Sequence, residues 1–198
     1  MKSKPGIIVI GGSAGSLDIV LKIVPTLPPS LNVAVVIILH RKLSNDTVLV
    51  DLLSTRTPWL VKEADEKEPL LPNVIYVAPA DYHLLIEHDH TFSLDASEKI
   101  NYSRPSIDVT FESASEVYQD ATLGMLLSGA NADGTTGLQI IKEANGKVVI
   151  QDPHTAGVPY MPQQALNNVE PDLIVNENNL DQLAVFLCKF SESLSVAR

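Results

Sequence analysis

Ile7-Ile-Val-Ile-Gly-Gly-Ser-Ala-Gly-Ser16 is the stretch that decides the fold, because four β-branched residues run straight into a glycine-rich turn. A run of this kind predicts a buried strand. Residues 17–24 then carry apolar side chains at helical spacing. The segment therefore predicts a strand, a tight turn and a helix in direct succession.

The same alternation extends along most of the chain. Short apolar runs predict buried parallel strands at 7–10, 33–39, 122–127, 147–150 and 173–175. Apolar residues at helical spacing predict helices at 17–24, 47–54, 106–119, 135–143, 162–167 and 180–190. This alternation is typical of an α/β fold with a doubly wound, mostly parallel, Rossmann-like sheet.

The middle of the chain interrupts this pattern. Strand-like segments at 75–78, 82–87 and 91–94 are joined by short polar links, with Asp89 and His90 as a turn. Links this short join antiparallel strands, so we expect a small antiparallel hairpin region at about 74–95. The sequence contains no internal repeat or linker, and we expect residues 1–198 to form a single domain.

The composition limits the class of protein and its partners. The 198 residues include 24 acidic and 14 basic ones, which gives a formal net charge of −10. So acidic a surface repels phosphate backbones, and we expect no nucleic-acid partner. The single cysteine, Cys188, cannot form an internal disulfide, which favours a cytoplasmic setting. The longest apolar run, 33–39, is only strand-length, so we expect no membrane insertion.

The glycine-rich turn can be compared with two known motifs, and it matches the second better than the first. A dinucleotide fingerprint, G-x-G-x-x-G, requires glycine where Ser13 and Ser16 stand, and an acidic residue after the second strand, where His40 stands. The pattern G-x-S-x-G is matched by Gly11, Ser13 and Gly15, and it presents a serine hydroxyl at the start of a helix. A serine at this place can also simply cap the helix. Both interpretations of Ser13, nucleophile and cap, stay open at this point.

A serine nucleophile needs a base, and His40 directly follows the second predicted strand. Asp133 lies in the loop after the predicted strand at 122–127. The carboxyl ends of parallel strands meet at one rim of a sheet, so all three side chains are expected there. Taken singly, His40 fits a structural histidine and Asp133 a turn residue. Together with Ser13 they predict a triad whose chain order differs from that of ordinary α/β-hydrolases.

Five motifs, in order along the chain, resemble those of one enzyme family. They are Ile10-Gly-Gly-Ser-Ala-Gly15 with His40, Ala78-Pro-Ala-Asp-Tyr-His83, Arg104-Pro-Ser-Ile-Asp108, Leu127-Ser-Gly-Ala-Asn-Ala-Asp-Gly134 and Met161-Pro-Gln-Gln-Ala165. Together they resemble the catalytic domain of the chemotaxis protein-glutamate methylesterases, the CheB family. We expect the chain to be this domain alone, without the receiver domain that many family members carry.

The resemblance implies a serine hydrolase that removes methyl esters from glutamate side chains of chemoreceptors, often together with deamidation of receptor glutamines. It assigns the nucleophile to Ser13, the general base to His40 and the orienting carboxylate to Asp133. It implies methyl-accepting chemoreceptor proteins as partners, with a separate response regulator or other regulatory protein as a second candidate. It implies no cofactor.

Further residues are expected to hold the oxyanion and the substrate. The oxyanion would bind the backbone amides of Ala14, which follows the serine, and Ala130, in the loop before Asp133. The side chains expected to bind substrate are Arg41, His83, Arg104 and Met161. Arg41, Lys42 and Arg104 would form a basic lip that steers an acidic receptor helix toward the serine. The other histidines, His88, His90 and His154, lack metal-ligand spacing, so we expect no metal.

Two further functions are compatible with the same residues. One is a catalytically idle adaptor that keeps the fold to bind receptors, and the other is an esterase or amidase for small molecules. Methanol release from methylated receptor, compared with hydrolysis of a generic aryl ester, separates the three hypotheses.

Overall fold

The computed structural model describes residues 5–41 and 48–196. The strands within these ranges are β1 (Gly6–Gly12), β2 (Val33–Leu39), β3 (Leu60–Glu63), β4 (Val74–Val77), β5 (His83–Ile86), β6 (Phe92–Asp95), β7 (Thr122–Leu126), β8 (Lys147–Gln151) and β9 (Leu173–Val175). The α-helices are α1 (Leu17–Ile23), α2 (Val48–Ser54), α3 (Ile107–Tyr118), α4 (Thr135–Glu143), α5 (Tyr160–Asn168) and α6 (Leu180–Val196).

The main sheet of the described residues has the strand order β3-β4-β2-β1-β7-β8-β9. Every neighbouring pair in it is parallel, which confirms the predicted doubly wound α/β fold. From β1 the chain first builds the half of the sheet that holds β2, and then returns to the other side of β1 with β7. Folds of this type place their sites where the order reverses, beyond the carboxyl ends of the strands. In this fold that rim lies beyond the carboxyl ends of β2, β1 and β7.

The two central strands form the middle of the hydrophobic core. Every residue of β1 and of β2 is buried, which explains why each is an unbroken apolar run in the sequence. Ile107 and Phe111 of α3 and Leu138 and Ile141 of α4 are fully buried as well. A close-packed interior is hard to compress, so the loops that leave these strands start from fixed positions.

The prediction of a hairpin region at about 74–95 was partly wrong. β5 and β6 do pair antiparallel, with His83 opposite Asp95. β4, however, lies between β2 and β3 in the main sheet and runs parallel to both. All four residues of β4 are buried. A strand covered on both faces belongs in the interior of a sheet, and the short link that follows it misled the sequence analysis.

The sequence did not predict β3. Its burial is irregular, with Leu60 and Glu63 exposed and Val61 buried. It stands at the edge of the sheet, where short strands with charged side chains discourage pairing with other chains. Four residues with so weak a pattern give no usable periodic signal.

The helices lie close to their predicted positions. α4 has the predicted bounds, whereas α5 begins earlier, at Tyr160, and α6 continues further, to Val196. The predicted start of the second helix, Thr47, lies outside the described residues. In the part of the chain that the structure describes, no helix is both long and apolar enough to cross a membrane.

Candidate active site

Ser13 stands in the turn between β1 and α1, where its backbone is held on two sides. Its N–H donates to the carbonyl of Ser128 at 2.8 Å. Its carbonyl accepts from the N–H of Ser16 at 3.1 Å and from the Ser16 hydroxyl at 2.7 Å. Ser16 is the N-cap residue of α1, so the helix-cap interpretation of Ser13 does not hold. The Ser13 hydroxyl makes no hydrogen bond to any described residue.

The turn is packed too closely for a side chain at Gly15. This glycine has a φ of +77°, and a Cβ on it would lie 2.9 Å from Ser128 Oγ and 3.2 Å from Gly157 Cα. The Ser128 hydroxyl donates to the carbonyl of Ala14 at 2.7 Å and accepts from the N–H of Val158 at 2.8 Å. Ser128 thus ties the turn to the loop after β8. Ser128 was not among the predicted site residues, although its place just beyond β7 was the available signal.

His40 follows β2 and stands beside Ser13, because Gly12 and Leu39 are paired in the sheet. The backbone N–H of His40 donates to the carbonyl of Gly12 at 3.1 Å, which extends the pairing of β1 and β2. The imidazole Nε2 lies 2.9 Å from Asp133 Oδ2 in a side chain that is 13% exposed. Since a carboxylate only accepts, Nε2 carries the hydrogen of the neutral ring. Nδ1 is left with the lone pair that a general base needs.

Asp133 is fully buried and is held by four donors. Its Oδ2 accepts from His40 and, at 2.8 Å, from the N–H of Ile107. Its Oδ1 accepts from the N–H of Asp108 at 3.1 Å and from the Ser106 hydroxyl at 2.9 Å. Burial alone would raise the pKa of Asp133, but the hydrogen bonds from His40 and the two amides outweigh it and hold that pKa below its usual range. The carboxylate therefore stays charged beside the imidazole.

Asp133 and Asp108 cap two helices reciprocally. Asp133 precedes α4, yet it accepts the first N–H groups of α3. Asp108 lies in the first turn of α3, and it accepts the N–H of Gly137 in α4 at 2.7 Å. Burial, together with the charge of Asp133, raises the pKa of Asp108 to about 6. The exchange fixes the loop that carries Asp133 relative to the start of α3.

The two amides expected to bind an oxyanion lie on either side of Ser13. Ala14 follows it in the chain, and Gly129, next to Ala130, is so near that a Cβ on it would lie 3.1 Å from Ser13 Cβ. Ala14 and Ala130 are exposed, and their N–H groups have no hydrogen-bond partner within the described residues. Unpaired amides that flank a nucleophile are the donors that an oxyanion requires.

Residues 8–183 match the sequence model of one family, CheB methylesterase. The match includes Ser13, His40 and Asp133. The chain belongs to the CheB methylesterase family.

Individual members of the family align with nearly the whole chain. A Leptospira interrogans protein (strain Fiocruz L1-130) is 44% identical over 180 residues, which cover 91% of this chain and 93% of that protein. A Thermotoga maritima protein, named protein-glutamate methylesterase/protein-glutamine glutaminase, is 33% identical over 172 residues, 85% of this chain and 50% of that protein. The crystal structure of the Thermotoga maritima CheB methylesterase catalytic domain matches with a TM-score of 0.86 and 31% identity, over 92% of this chain and 98% of that one.

The two arginines expected to bind substrate do lie beside the base. They help to line an open cavity of about 380 Å³, formed by His40, Arg41, Asp81, Lys99, Tyr102, Ser103 and Arg104. Arg41, however, is paired with Glu63, and Arg104 with Asp81 at 2.8 Å. The Arg104 guanidinium also donates to two loop carbonyls. Lys42, the third member of the expected basic lip, lies outside the described residues. Two of the three expected cations, Arg41 and Arg104, therefore each have a carboxylate partner.

His83 and Met161, both expected to bind substrate, are buried in the structure. His83 is buried, its Nδ1 accepts from the N–H of Ser106 at 3.1 Å, and its Nε2 donates to the carbonyl of Glu98 at 3.0 Å. Met161 is also fully buried, directly beneath Gly129, where a Cβ would lie 2.4 Å from Met161 Cε. His83 holds a loop and Met161 fills the floor of the site.

The remaining histidines show no sign of metal binding. His154 Nδ1 lies 3.1 Å from an Asp152 carboxylate oxygen, and His90 meets Tyr118 edge to face. Among the residues that the structure describes, no cluster of three or more His, Cys, Asp or Glu side chains is placed to hold a metal ion.

We expect Gly129→Ala to lower kcat for any ester about 10- to 100-fold, because the added methyl group displaces Ser13 by a fraction of an ångström. The measurement is turnover of a small ester together with thermal unfolding. Met161→Ala is the matched control, since Met161 also packs against Gly129 but the substitution adds no atom near Ser13. It should lose about 2–5 kcal/mol of stability yet keep most of kcat. Equal kcat losses in both variants would contradict a specific contact with Ser13.

Asp133→Asn should lower kcat on the order of 10⁴-fold, as in serine proteases, because an amide cannot hold the imidazole in the same tautomer. It should also destabilise the fold by about 1–3 kcal/mol, since an NH₂ group would face buried N–H donors. Steady-state kinetics and urea unfolding measure the two effects. Ser106→Ala, which removes one donor to Asp133, should lower kcat and the stability of the fold far less. A fully stable Asp133→Asn variant would contradict the capping role.

Asp108→Asn should stabilise the protein above about pH 6 and have no such effect below about pH 4. The folded protein holds the Asp108 proton up to about pH 6, whereas an unfolded aspartate releases it near pH 4. Ionisation therefore costs the folded state stability as the pH rises through this window, and asparagine removes that cost. Urea unfolding of both proteins at pH 4 and pH 8 should show a gain on the order of 1 kcal/mol only at pH 8. A difference that does not vary with pH would contradict the raised pKa.

Proposed function

We propose that the chain is a serine hydrolase that removes methyl esters from glutamate side chains of chemoreceptors. The observation that carries this proposal is the arrangement at the strand ends, where a free Ser13 hydroxyl stands beside a histidine fixed by a buried carboxylate. The family match and the names of its relatives supply the reaction and the substrate class. The same relatives are named protein-glutamine glutaminases as well, which extends the proposal to deamidation of glutamine.

The proposed mechanism uses two acyl-transfer steps. Ser13 Oγ attacks the γ-carbonyl carbon while its proton passes to His40 Nδ1. The charge on the carbonyl oxygen is held by the amides of Ala14 and Ala130, and the imidazolium is stabilised by Asp133. The C–O bond to the methoxy group then breaks, and methanol leaves with the proton from Nδ1. Water, deprotonated by the same nitrogen, hydrolyses the acyl-enzyme and restores Ser13.

The proposed partner is a helix of a methyl-accepting chemoreceptor in the cytoplasm. The cavity beside His40 is separated by the exposed Tyr102 from a second cavity of about 530 Å³. The second one is lined mainly by uncharged polar side chains, among them Asn131, Gln139 and Gln164. An elongated partner can contact both cavities, because Tyr102 lines each of them. A separate response regulator is a further proposed partner, with family membership as its only support.

An idle adaptor and a small-molecule esterase are the competing functions. The Ser13 hydroxyl, which makes no hydrogen bond to the described residues, argues against the adaptor, because an adaptor has no need of it. A generalist esterase would hydrolyse a small aryl ester about as efficiently as methylated receptor. A protein-glutamate methylesterase should favour the receptor strongly in kcat/KM, since remote contacts contribute binding energy.

Ser13→Ala should abolish methanol release from methylated receptor and leave the fold intact, because the Ser13 side chain makes no hydrogen bond to the described residues. The expected activity is indistinguishable from buffer, which is a loss of about 10³-fold or more. Methanol release and thermal unfolding are measured side by side. Ser54→Ala, at the exposed end of α2, is the control and should behave as the native protein. Retained turnover in the Ser13 variant would remove this residue from the mechanism.

A further inference from the structure

We propose that Ser103 is a positioning residue that occupies Nδ1 of His40 in the resting enzyme and must release it before Ser13 can react. The inference rests on the proposed function, because it concerns the base of that reaction. The Ser103 hydroxyl lies 3.3 Å from His40 Nδ1, in a side chain that is almost fully buried.

The base nitrogen has one lone pair and two serines that compete for it. Nε2 is committed to Asp133, so Nδ1 is the nitrogen that must accept a proton from Ser13. Within the described residues, however, Nδ1 is hydrogen-bonded to Ser103, and Ser13 makes no hydrogen bond to it. A hydroxyl that donates to Nδ1 therefore holds the site in a state that cannot begin the reaction.

The hydrogen bonds around Ser103 allow the hydroxyl to turn between two acceptors. Asn131 Nδ2 donates to Ser103 Oγ at 3.1 Å, which directs the Ser103 proton elsewhere. Its two acceptors are at nearly equal distances, with His40 Nδ1 at 3.3 Å and the carbonyl of Asn101 at 3.4 Å. Rotation about the Cβ–Oγ bond alone transfers the hydrogen bond from the histidine to the carbonyl. Nδ1 is then free for Ser13.

The backbone around Ser103 is fixed, so the change is a rotation of the hydroxyl. Ser103 and Ile100 exchange backbone hydrogen bonds of 2.8 and 3.2 Å. The next residue, Arg104, is anchored to Asp81 and to the carbonyls of the segment before it. Asn131 also stands next to Ala130, one of the proposed oxyanion donors. A substrate carbonyl at that amide therefore lies one residue from the group that orients Ser103.

The expected size of the effect follows from the geometry. A contact of 3.3 Å is long for a hydroxyl donor, whose usual distance is about 2.7–2.8 Å. Its removal should therefore change a rate about two- to fivefold, the lower part of the range for one hydrogen bond. Ser103→Ala should raise the rate at which Ser13 reacts, because a competitor for the base has gone.

The test compares Ser103→Ala with Ser103→Thr, which keeps the hydroxyl. The rate at which a neutral alkyl fluorophosphonate labels Ser13 should rise about two- to fivefold in the alanine variant and stay near the native value in the threonine variant. For a small neutral ester, kcat should rise by the same factor while KM is unchanged. The ¹⁵N NMR resonance of His40 Nδ1 should move in the alanine variant and keep its position in the threonine variant.

A slower labelling rate in Ser103→Ala would overturn the proposal, because Ser103 would then assist the base. An unmoved Nδ1 resonance would overturn it as well, since no hydrogen bond would have been lost. The NMR measurement requires no substrate, so it is independent of the proposed function. If the native protein released no methanol but the Nδ1 resonance still moved, the methylesterase assignment would fail and the contact would stand.

Discussion

The buried carboxylate of Asp133 is the group on which the rest of the site depends. It is fully buried, so it needs donors from the protein, and these come from His40, from Ser106 and from the first turn of α3. One ion thereby fixes His40, the proposed base, and the start of a helix. Asp108, in α3, in turn caps α4 by accepting the N–H of Gly137. Neither α3 nor α4 can therefore shift alone without leaving a buried donor or carboxylate unpaired. The pKa of Asp108 is raised first by its burial and then by the charge of Asp133 nearby.

Much of this arrangement could be predicted from the sequence, because parallel strands leave a periodic signal and deliver their following residues to one rim. Ser13 and His40 follow adjacent central strands whose unbroken apolar runs are plain in the sequence. The loop that holds Asp133 begins where another such run ends. The hydrophobic pattern therefore located the rim, and the chemistry of the residues at the strand ends supplied the hypothesis of a triad.

The remainder could not be predicted, because it depends on contacts between segments with no periodic pattern. Ser103 and Ser128 are ordinary loop serines in the sequence, and only the fold brings them against His40 and the serine turn. The family motif predicts that His83 binds substrate, yet both of its ring nitrogens are hydrogen-bonded inside the protein. A motif shows that a residue type is needed at a position. It does not show whether that residue faces the substrate or supports one that does.

The triad residues differ in how much of the fold rests on each. The Ser13 hydroxyl has no hydrogen bond among the described residues, His40 has two ring contacts, and Asp133 has four donors. Removal of the side chain therefore lowers the stability of the fold least at Ser13 and most at Asp133. A family member that served only as an adaptor could discard the serine hydroxyl at little expense in stability, but would keep the aspartate for the sake of α3. For this reason an intact aspartate says little about activity in this fold, whereas a serine with no structural duty is evidence for the chemistry.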